Sequence, residues 1–383
     1  MEGDVAIVGG GIVGLAHAWA AAKRGLRVLL FERGAQATGA TVRNFGMIWP
    51  IGQPAGDAYA TALLSARLWR QLAPQAGFWL NPCGSLHLAH RADEWRVLEE
   101  FAQLAPQLGY AGRIVPPDEV LKLAPAANPE GLRGGWLSPN ELGVNPRRAA
   151  AQIARWLAEQ WRVGFHFRTT IVEVEDGTLR AADGRRWRAP RVVICSGADF
   201  ETLFPELLAN SPLIPCKLQM LRTASQPEGW RIGPHLASGL TLRHYHNFAI
   251  CAGLEELKRR VAHETPELDH FGIHVMASQN ELGEVILGDS HEYGERIEPF
   301  DKSVIDDLML RELQSIIRLP HWQIAERWHG VYAKHPTHSI LRAEPQAGVH
   351  IRTGTGGSGM TMSFGLAEQD WERWVGPSQE ILE

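Results

Sequence analysis

The chain has 383 residues, 45% of them hydrophobic, with a formal net charge of −5. That is enough apolar material for a large core and two connected domains, and the slightly acidic balance gives no electrostatic footprint for nucleic acid. No apolar run approaches the roughly 18 residues needed to cross a bilayer, so no membrane insertion is expected.

The N-terminus, MEGDVAIVGGG, carries Glu2 and Asp4 where a secretory signal carries basic residues, so a cytoplasmic location is expected. Asp4 to Val8 is a short apolar run with a β bias, and Gly9-x-Gly11-x-x-Gly14 follows at once. Leu15 to Arg24 reads as an alanine-rich helix ended by Gly25, and Arg27 to Phe31 as a second buried strand closed by Glu32. This is a βαβ unit. Gly9 permits the tight turn, Gly11 lets a pyrophosphate approach the backbone, and Gly14 lets helix and strand pack closely. The helix N-terminus offers free N–H groups to phosphates. Glu32 is placed to accept hydrogen bonds from ribose hydroxyls, which argues against a 2′-phosphate and leaves NAD and FAD open.

The next loop, TGATVRNFGMIWP from Thr38 to Pro50, is rich in small residues and offers Arg43 and Asn44 as donors. A second phosphate-contacting loop here suits a long, extended cofactor. Residues 52–140 carry helical patterns at Ala58–Gln71 and Ala92–Leu108 and a strand-like SLHLAH at Ser85–His90.

Between residues 168 and 200, Asp176-Gly177 and Asp183-Gly184 are hairpin signals. They predict a three-strand meander feeding a buried strand, Arg191 to Cys195, that ends in Ser196-Gly197-Ala198. The arginines at 185, 186, 188 and 191 read as a solvated face.

Residues 215–325 are strand-rich: KLQMLRT, LTLRHYHNFAI, FGIHVMAS and EVILGDS, with a turn predicted at Asn280 to Gly283. In LTLRHYHNF, alternation puts Arg243 and Tyr245 on one face and His244 and His246 on the other. Near the C-terminus a strand, Val349 to Thr353, runs into GTGGSGM (Gly354 to Met360) and then a helix from about Ser358. Such a turn aims free N–H groups at an electron-rich partner, and a reduced flavin ring is one. Cys83, Cys195, Cys216 and Cys251 form no CxxC pair, and the sixteen histidines include no HExxH, so no metal site is expected.

The GGGIVG…FER start, the TGATVRNFGM loop, the VVICSGADF strand and the terminal GTGGSGMTMSFG together resemble the D-amino-acid oxidase superfamily of FAD-dependent amine oxidases, the group containing glycine oxidase and monomeric sarcosine oxidase. VRNFGMIWPIGQP, LTLRHYHNF and GIHVMASQNELGEVILGDSHEYGE are similar to a smaller set linked to aminophosphonate breakdown, with iminodiacetate oxidase also similar. The resemblance implies a mixed α/β and α+β architecture. A Rossmann-like FAD domain would be assembled from residues 1–51, 141–214 and 326–383. A substrate domain with a mainly antiparallel sheet roofing the flavin would take 52–140 and 215–325. It implies FAD contacts at Gly9, Gly11, Ile12, Val13, Gly14, Glu32 and Arg33, and at Ala40, Thr41, Arg43, Asn44, Phe45 and Gly46. Val172, Ser196 and Gly197 follow, and then Gly354, Gly356, Gly357, Ser358, Gly359, Met360 and Thr361.

It further implies hydride transfer from an amine to the flavin, hydrolysis of the resulting imine, and reoxidation by oxygen or another acceptor. No general base is expected. Carboxylate-binding members carry an arginine where RWHGVYAKHPTHSIL places Tyr332, and a tyrosine is no bidentate fork. No cysteine lies between Cys251 and the C-terminus to attach the flavin, so the FAD is expected to be non-covalent. The oxygen-activating lysine of sarcosine-oxidase relatives is replaced by Ile286, which leaves the acceptor open between oxygen, a quinone and a carrier protein. Candidate substrate contacts are Trp49, Gln53, Arg243, Tyr245, His246, His274, Gln279 and Tyr332. The expected substrate is an anionic amine, either an N-alkylated 2-aminoethylphosphonate or a secondary amino acid such as iminodiacetate or sarcosine, or glycine.

Overall fold

Strand Val5–Val8 carries only apolar side chains and sits inside a six-stranded sheet, between Arg191–Ile194 on one side and Val28–Phe31 on the other, all parallel. A parallel strand covered on both faces reads as a continuous apolar run. Gly164–His166 extends the sheet beyond Val28–Phe31, and Val349–Thr353 with the antiparallel Leu341–Gln346 extends it beyond Arg191–Ile194. Val5–Val8, Arg191–Ile194 and Val349–Thr353 lie more than 150 residues apart in the chain, so the nucleotide sheet is assembled from separated pieces, as expected. The computed structural model describes residues 2–378.

Helix Ile12–Ala22 packs on this sheet, and the C-terminal helix Gly359–Val375 lies against both it and helix Asp57–Ala76. Their shared core holds Trp19, Trp69, Phe364 and Trp371. Gly14 is required by this packing, because a β-carbon there would stand 1.9 Å from the Gly9 carbonyl oxygen.

The second layer is a nine-stranded, mainly antiparallel sheet centred on Ile214–Thr223, Val285–Gly288, Met276–Gln279 and His235–Ala237. Its outer face is covered by helices Ala92–Leu104, Leu254–Glu264 and Ser303–Ile316. Along Ile214–Thr223 side chains alternate, as a period of two demands. Cys216, Leu218 and Met220 join Ile286 and Tyr332 in an apolar patch against Phe45. Lys217 and Gln219 point the other way. Lys217 reaches the Glu298 carbonyl and Asp301, and Gln219 reaches the Lys302 carbonyl and Asp306.

Several expectations are met. The meander forms as Ile171–Glu175, Thr178–Ala181 and Arg186–Arg188. Asp176 and Gly177 both have positive φ (46° and 73°), the conformation of a type I′ hairpin turn. Gly283 donates to the Asn280 carbonyl at 3.1 Å, closing the predicted turn.

Two expectations need correction. LTLRHYHNF is not a strand; it forms two 3-10 turns, Gly239–Arg243 and His246–Ile250. His235–Ala237 already has a strand on each side, and the chain after it leaves the sheet to press Gly239 against the Glu94 carboxylate and bury Leu242 and Phe248. Tertiary packing overrides the alternation there. The domain limits also shift. The boundary at 325/326 falls inside strand Ile324–Lys334, which pairs along Ile214–Thr223 of the large sheet, and helix Asp57–Ala76 joins the core of the nucleotide layer.

Candidate active site

Between the two layers one cavity of about 750 Å³ touches both glycine turns. At its nucleotide end Gly9 holds φ at +109°, and its N–H donates to the Phe31 carbonyl at 2.8 Å. Gly9, Gly11, Ile12 and Val13 line the wall, as do Glu32 and Arg33. The Glu32 carboxylate accepts from the Gly10 N–H at 2.9 Å and the Gly34 N–H at 2.8 Å. Those bonds hold it across the mouth of the turn, where a ribose would lie.

The loop 37–45 covers the middle of the cavity with Ala40, Thr41, Arg43, Asn44 and Phe45. Thr41 Oγ1 accepts from the Ile12 N–H at 2.9 Å, and Arg43 donates to the carbonyls of Thr38 and His329. Cys195, Ser196 and Gly197 form the opposite wall. The far end is Gly354, Gly356, Gly357, Gly359 and Met360, with Gly354 and Gly356 at φ of 79° and 58°.

Five expected cofactor residues do not line the cavity: Gly14, Gly46, Val172, Ser358 and Thr361. Gly14 serves helix packing, and a β-carbon at Gly46 would stand 2.0 Å from the Val144 carbonyl. Thr169 to Ile171 line the wall in place of Val172. Ser358 instead accepts from Gln53 Nε2 at 3.1 Å. Thr361 is likewise turned away, accepting from the Trp49 N–H at 2.8 Å. Gln53 and Trp49 therefore latch the C-terminal turn to the loop before it.

The sheet side of the cavity is built by Pro215, Leu218, Met220, Asp289, Gly330 and Tyr332, among others. The Tyr332 phenol stands over the turn, 3.7 Å from where a Gly357 β-carbon would be, and burial raises its pKa well above the ordinary value. Lys334 Nζ donates to the Tyr293 hydroxyl at 3.1 Å, and burial lowers its pKa. Asp289 is buried, and burial drives its carboxyl well above the usual carboxylate range.

Beside Asp289 three imidazoles stack. Ring centroids are 3.8 Å apart for His244 and His274, 4.5 Å for His244 and His291, and 4.8 Å for His274 and His291. Burial lowers all three pKa values, that of His291 to about 4. Tyr245 joins the group, its ring between those of Trp49 and His274.

Of the expected substrate contacts, Trp49, Tyr245, His274 and Tyr332 gather on this side. Arg243, His246 and Gln279 do not. The Arg243 guanidinium is bound to Asp269 and the Ile273 carbonyl, His246 is exposed, and Gln279 accepts from the Ile232 N–H at 3.0 Å. Asp289, His244, His291 and Tyr293 were not among the expected contacts. Their signal was present in HYH and GDSHEYG, but strand alternation alone gave no reason to join two stretches so far apart.

The donors fit a flavin dinucleotide. Helix N–H groups stand at the first turn, the Glu32 carboxylate beside it, and a second glycine turn faces an apolar wall at the other end. Fold and cavity together define a flavin-dependent oxidoreductase. The family model described as DAO, FAD dependent oxidoreductase, matches residues 4–369, and the chain belongs to that family. FAD is its cofactor.

The chain is 30% identical over 231 residues to the tRNA 5-methylaminomethyl-2-thiouridine biosynthesis bifunctional protein MnmC of Aeromonas hydrophila, covering 57% of this chain and 33% of that protein. It is 28% identical over 206 residues to a glycine oxidase of Geobacillus kaustophilus, covering 51% and 54%. These matches span a third to about a half of the relatives' length. The crystal structure of that glycine oxidase superposes with a TM-score of 0.75 at 18% identity over 100% of both chains. Iminodiacetate oxidase from Chelativorans sp. BNC1 gives 0.72 at 19% identity over 99% and 97%. No helix among the described residues is long and apolar enough to cross a membrane.

Proposed function

We propose that this chain oxidises the C–N bond of a small amine bearing an anionic head, and that its preferred substrate is an N-alkylated 2-aminoethylphosphonate. The observation that carries this reading is the sheet side of the cavity, which among the described residues presents no guanidinium. Arg33, Arg43 and Arg352 do line the cavity, but each is engaged elsewhere, with Asp199, with backbone carbonyls and with Asp370. A pocket built for a carboxylate would use a bidentate arginine. Here the polar groups on that side include the Tyr332 phenol and the carboxyls of Asp289 and Glu295, with the imidazoles behind.

Bound FAD supplies the two-electron acceptor for the amine's α-carbon hydride. The chain's residues bind, orient and dry the site. Leu218, Met220, Ile286 and Phe45 exclude water, and Tyr332 offers a hydrogen bond over the glycine turn. With the amine bound neutral, no protein base is required. The imine product would hydrolyse to an aldehyde and an amine, and with molecular oxygen as the final acceptor the two electrons and two protons would leave as hydrogen peroxide. The FAD is held non-covalently.

A second reading, oxidation of a secondary amino acid or glycine, is favoured by the similarity to a glycine oxidase. Anaerobic mixing with 2-aminoethylphosphonate, its N-methyl form, sarcosine, iminodiacetate and glycine separates the two by loss of flavin absorbance. Fast bleaching by the N-methyl phosphonate alone is expected. Bleaching by iminodiacetate or sarcosine instead selects the second reading.

A further inference from the structure

Three histidines and an aspartate from three separate segments meet at the sheet end of the cavity. His244 follows the turn Gly239–Arg243, His274 precedes strand Met276–Gln279, and Asp289 and His291 follow strand Val285–Gly288. Candidate ligand atoms of the three imidazoles lie within 4.8 Å of one another. Asp289 Oδ1 is 3.5 Å from His274 Nε2, and Oδ2 is 3.9 Å from His291 Nε2.

These groups are buried but poorly satisfied. Neither ring nitrogen of His274 has a hydrogen-bond partner, and neither does Asp289 Oδ1. A buried polar group without a partner is costly to desolvate, so the set is matched to a partner that completes it. The partner's charge follows from the donors. An anion meets no fixed positive charge among these four groups, whereas a bound cation would offset the burial that disfavours the Asp289 carboxylate and be accepted by imidazole lone pairs.

His291 is already oriented for that role. Its Nδ1–H donates to the Gly272 carbonyl at 3.2 Å, which leaves a lone pair on Nε2, the nitrogen facing Asp289. Metal-binding histidines are held by the same kind of outer hydrogen bond. With bonds of about 2.0–2.2 Å, neighbouring ligand atoms of a tetrahedral site stand about 3.4 Å apart. The histidine–aspartate separations lie within about half an ångström of that. The stacked rings must fan apart, and His244, half-buried on a 3-10 turn, is the one with room to move.

We propose that His244, His274, His291 and Asp289 bind a divalent transition-metal ion of the zinc class, at a site opening onto the flavin cavity through Asp289. Three nitrogens and one carboxylate select such an ion over magnesium or calcium, which prefer all-oxygen shells. The metal's use rests on the proposed function: it is the cation that receives the anionic head in place of a guanidinium. Its binding does not rest on that reading.

The test is titration of chelator-stripped, flavin-loaded protein with Co²⁺, followed by its absorption beyond the oxidised flavin bands, with metal content measured by atomic emission. Saturable, stoichiometric uptake is expected, lost in His274→Ala and in His291→Gln while flavin content stays at the wild-type level. Should His274→Ala lose its flavin, His244→Ala on the half-buried edge carries the same expectation. No saturable uptake by the wild type, or equal uptake by the variants, overturns the site. So does saturable binding of inorganic phosphate to the metal-free protein that the same substitutions abolish, since the imidazoles would then serve an oxyanion. Metal uptake without flavin reduction by any of the amines leaves the site standing and overturns the amine reading, so the two fail separately.

Discussion

The two ends of the cavity are built on different principles. At the nucleotide end the contacts are mostly backbone N–H groups and one carboxylate, delivered by a contiguous strand, turn and helix. At the sheet end they are side chains from segments tens of residues apart, brought together only when the large sheet forms. The first kind of site tolerates little change in backbone shape. The second tolerates change in any one side chain, and its specificity lies in which side chains happen to face inward.

The sharpest way to break the nucleotide end is to add one β-carbon. At Gly9 it would stand 2.2 Å from the Cys195 carbonyl oxygen, with φ at +109°, so Gly9→Val forces both a clash and a strained backbone. We expect a loss of about 3 kcal/mol or more and protein purified nearly free of flavin, read from the ratio of visible to ultraviolet absorbance. Wild-type flavin content in this variant would mean that the first turn does not grip the cofactor.

Next in size is the ion network that ties the C-terminal helix to strands Leu341–Gln346 and Val349–Thr353. Asp370 is fully buried and bound by Arg352 at 2.5 Å, Arg342 at 3.3 Å and Arg373. Burial pushes its pKa up, but Arg352, His17 and Arg342 outweigh that and hold it below the ordinary value. A carboxylate with a depressed folded pKa stabilises the fold above its unfolded pKa and loses that contribution as pH falls through the folded one. Melting temperature should therefore drop steeply below about pH 4 in the wild type, and Asp370→Asn should lie about 3–5 kcal/mol lower at neutral pH with a flatter acid limb. Parallel acid limbs would remove Asp370 from the account.

Glu32→Ala probes the same end more gently. It leaves the Gly10 and Gly34 N–H groups without their acceptor and removes the ribose partner. About 1–3 kcal/mol is expected, seen as a weaker affinity in FAD titrations of the stripped protein, with little change in KM for the amine.

The sheet end responds differently. Tyr332→Phe removes one hydroxyl from the cavity wall and leaves the packing intact. It should raise KM for the reducing amine a few-fold to about tenfold, for a loss of about 0.5–1.5 kcal/mol, with flavin content unchanged. An unchanged KM would take Tyr332 out of the substrate's reach.

How far the sequence reveals each end follows from the same contrast. GGGIVG, Glu32 and GTGGSGM are legible because glycine spacing and a single acid encode backbone geometry directly. The Asp176-Gly177 turn is legible for the same reason. The histidine group is not, because His244, His274 and His291 lie 30 and 17 residues apart and match no short ligand spacing. Alternation along LTLRHYHNF misleads, because that segment finds no free strand edge and folds into turns. Ile324–Lys334 is misplaced across a domain limit because an eleven-residue strand carries no mark in sequence of which sheet it joins.

Arg243 gives the smallest expected effect on catalysis, and it tests that last point. Its position in the sequence makes it the natural cation for an anionic head, yet the fold turns it outward to Asp269 and the Ile273 carbonyl, the latter at 3.1 Å. Its nearest charge is therefore a half-exposed carboxylate and not the cavity. Arg243→Ala should lower stability by about 1–2 kcal/mol through the lost bridge, leaving KM and the flavin reduction rate within about twofold of wild type. Burial lowers the pKa of this guanidinium without bringing it into the range where it loses its proton, so the effect should not vary with pH between 6 and 9. A tenfold rise in KM with unchanged melting temperature would place Arg243 on the substrate after all. It would mean that the segment Gly239–Arg243 re-forms around the bound amine, so that the sheet end, unlike the nucleotide end, is completed by its ligand.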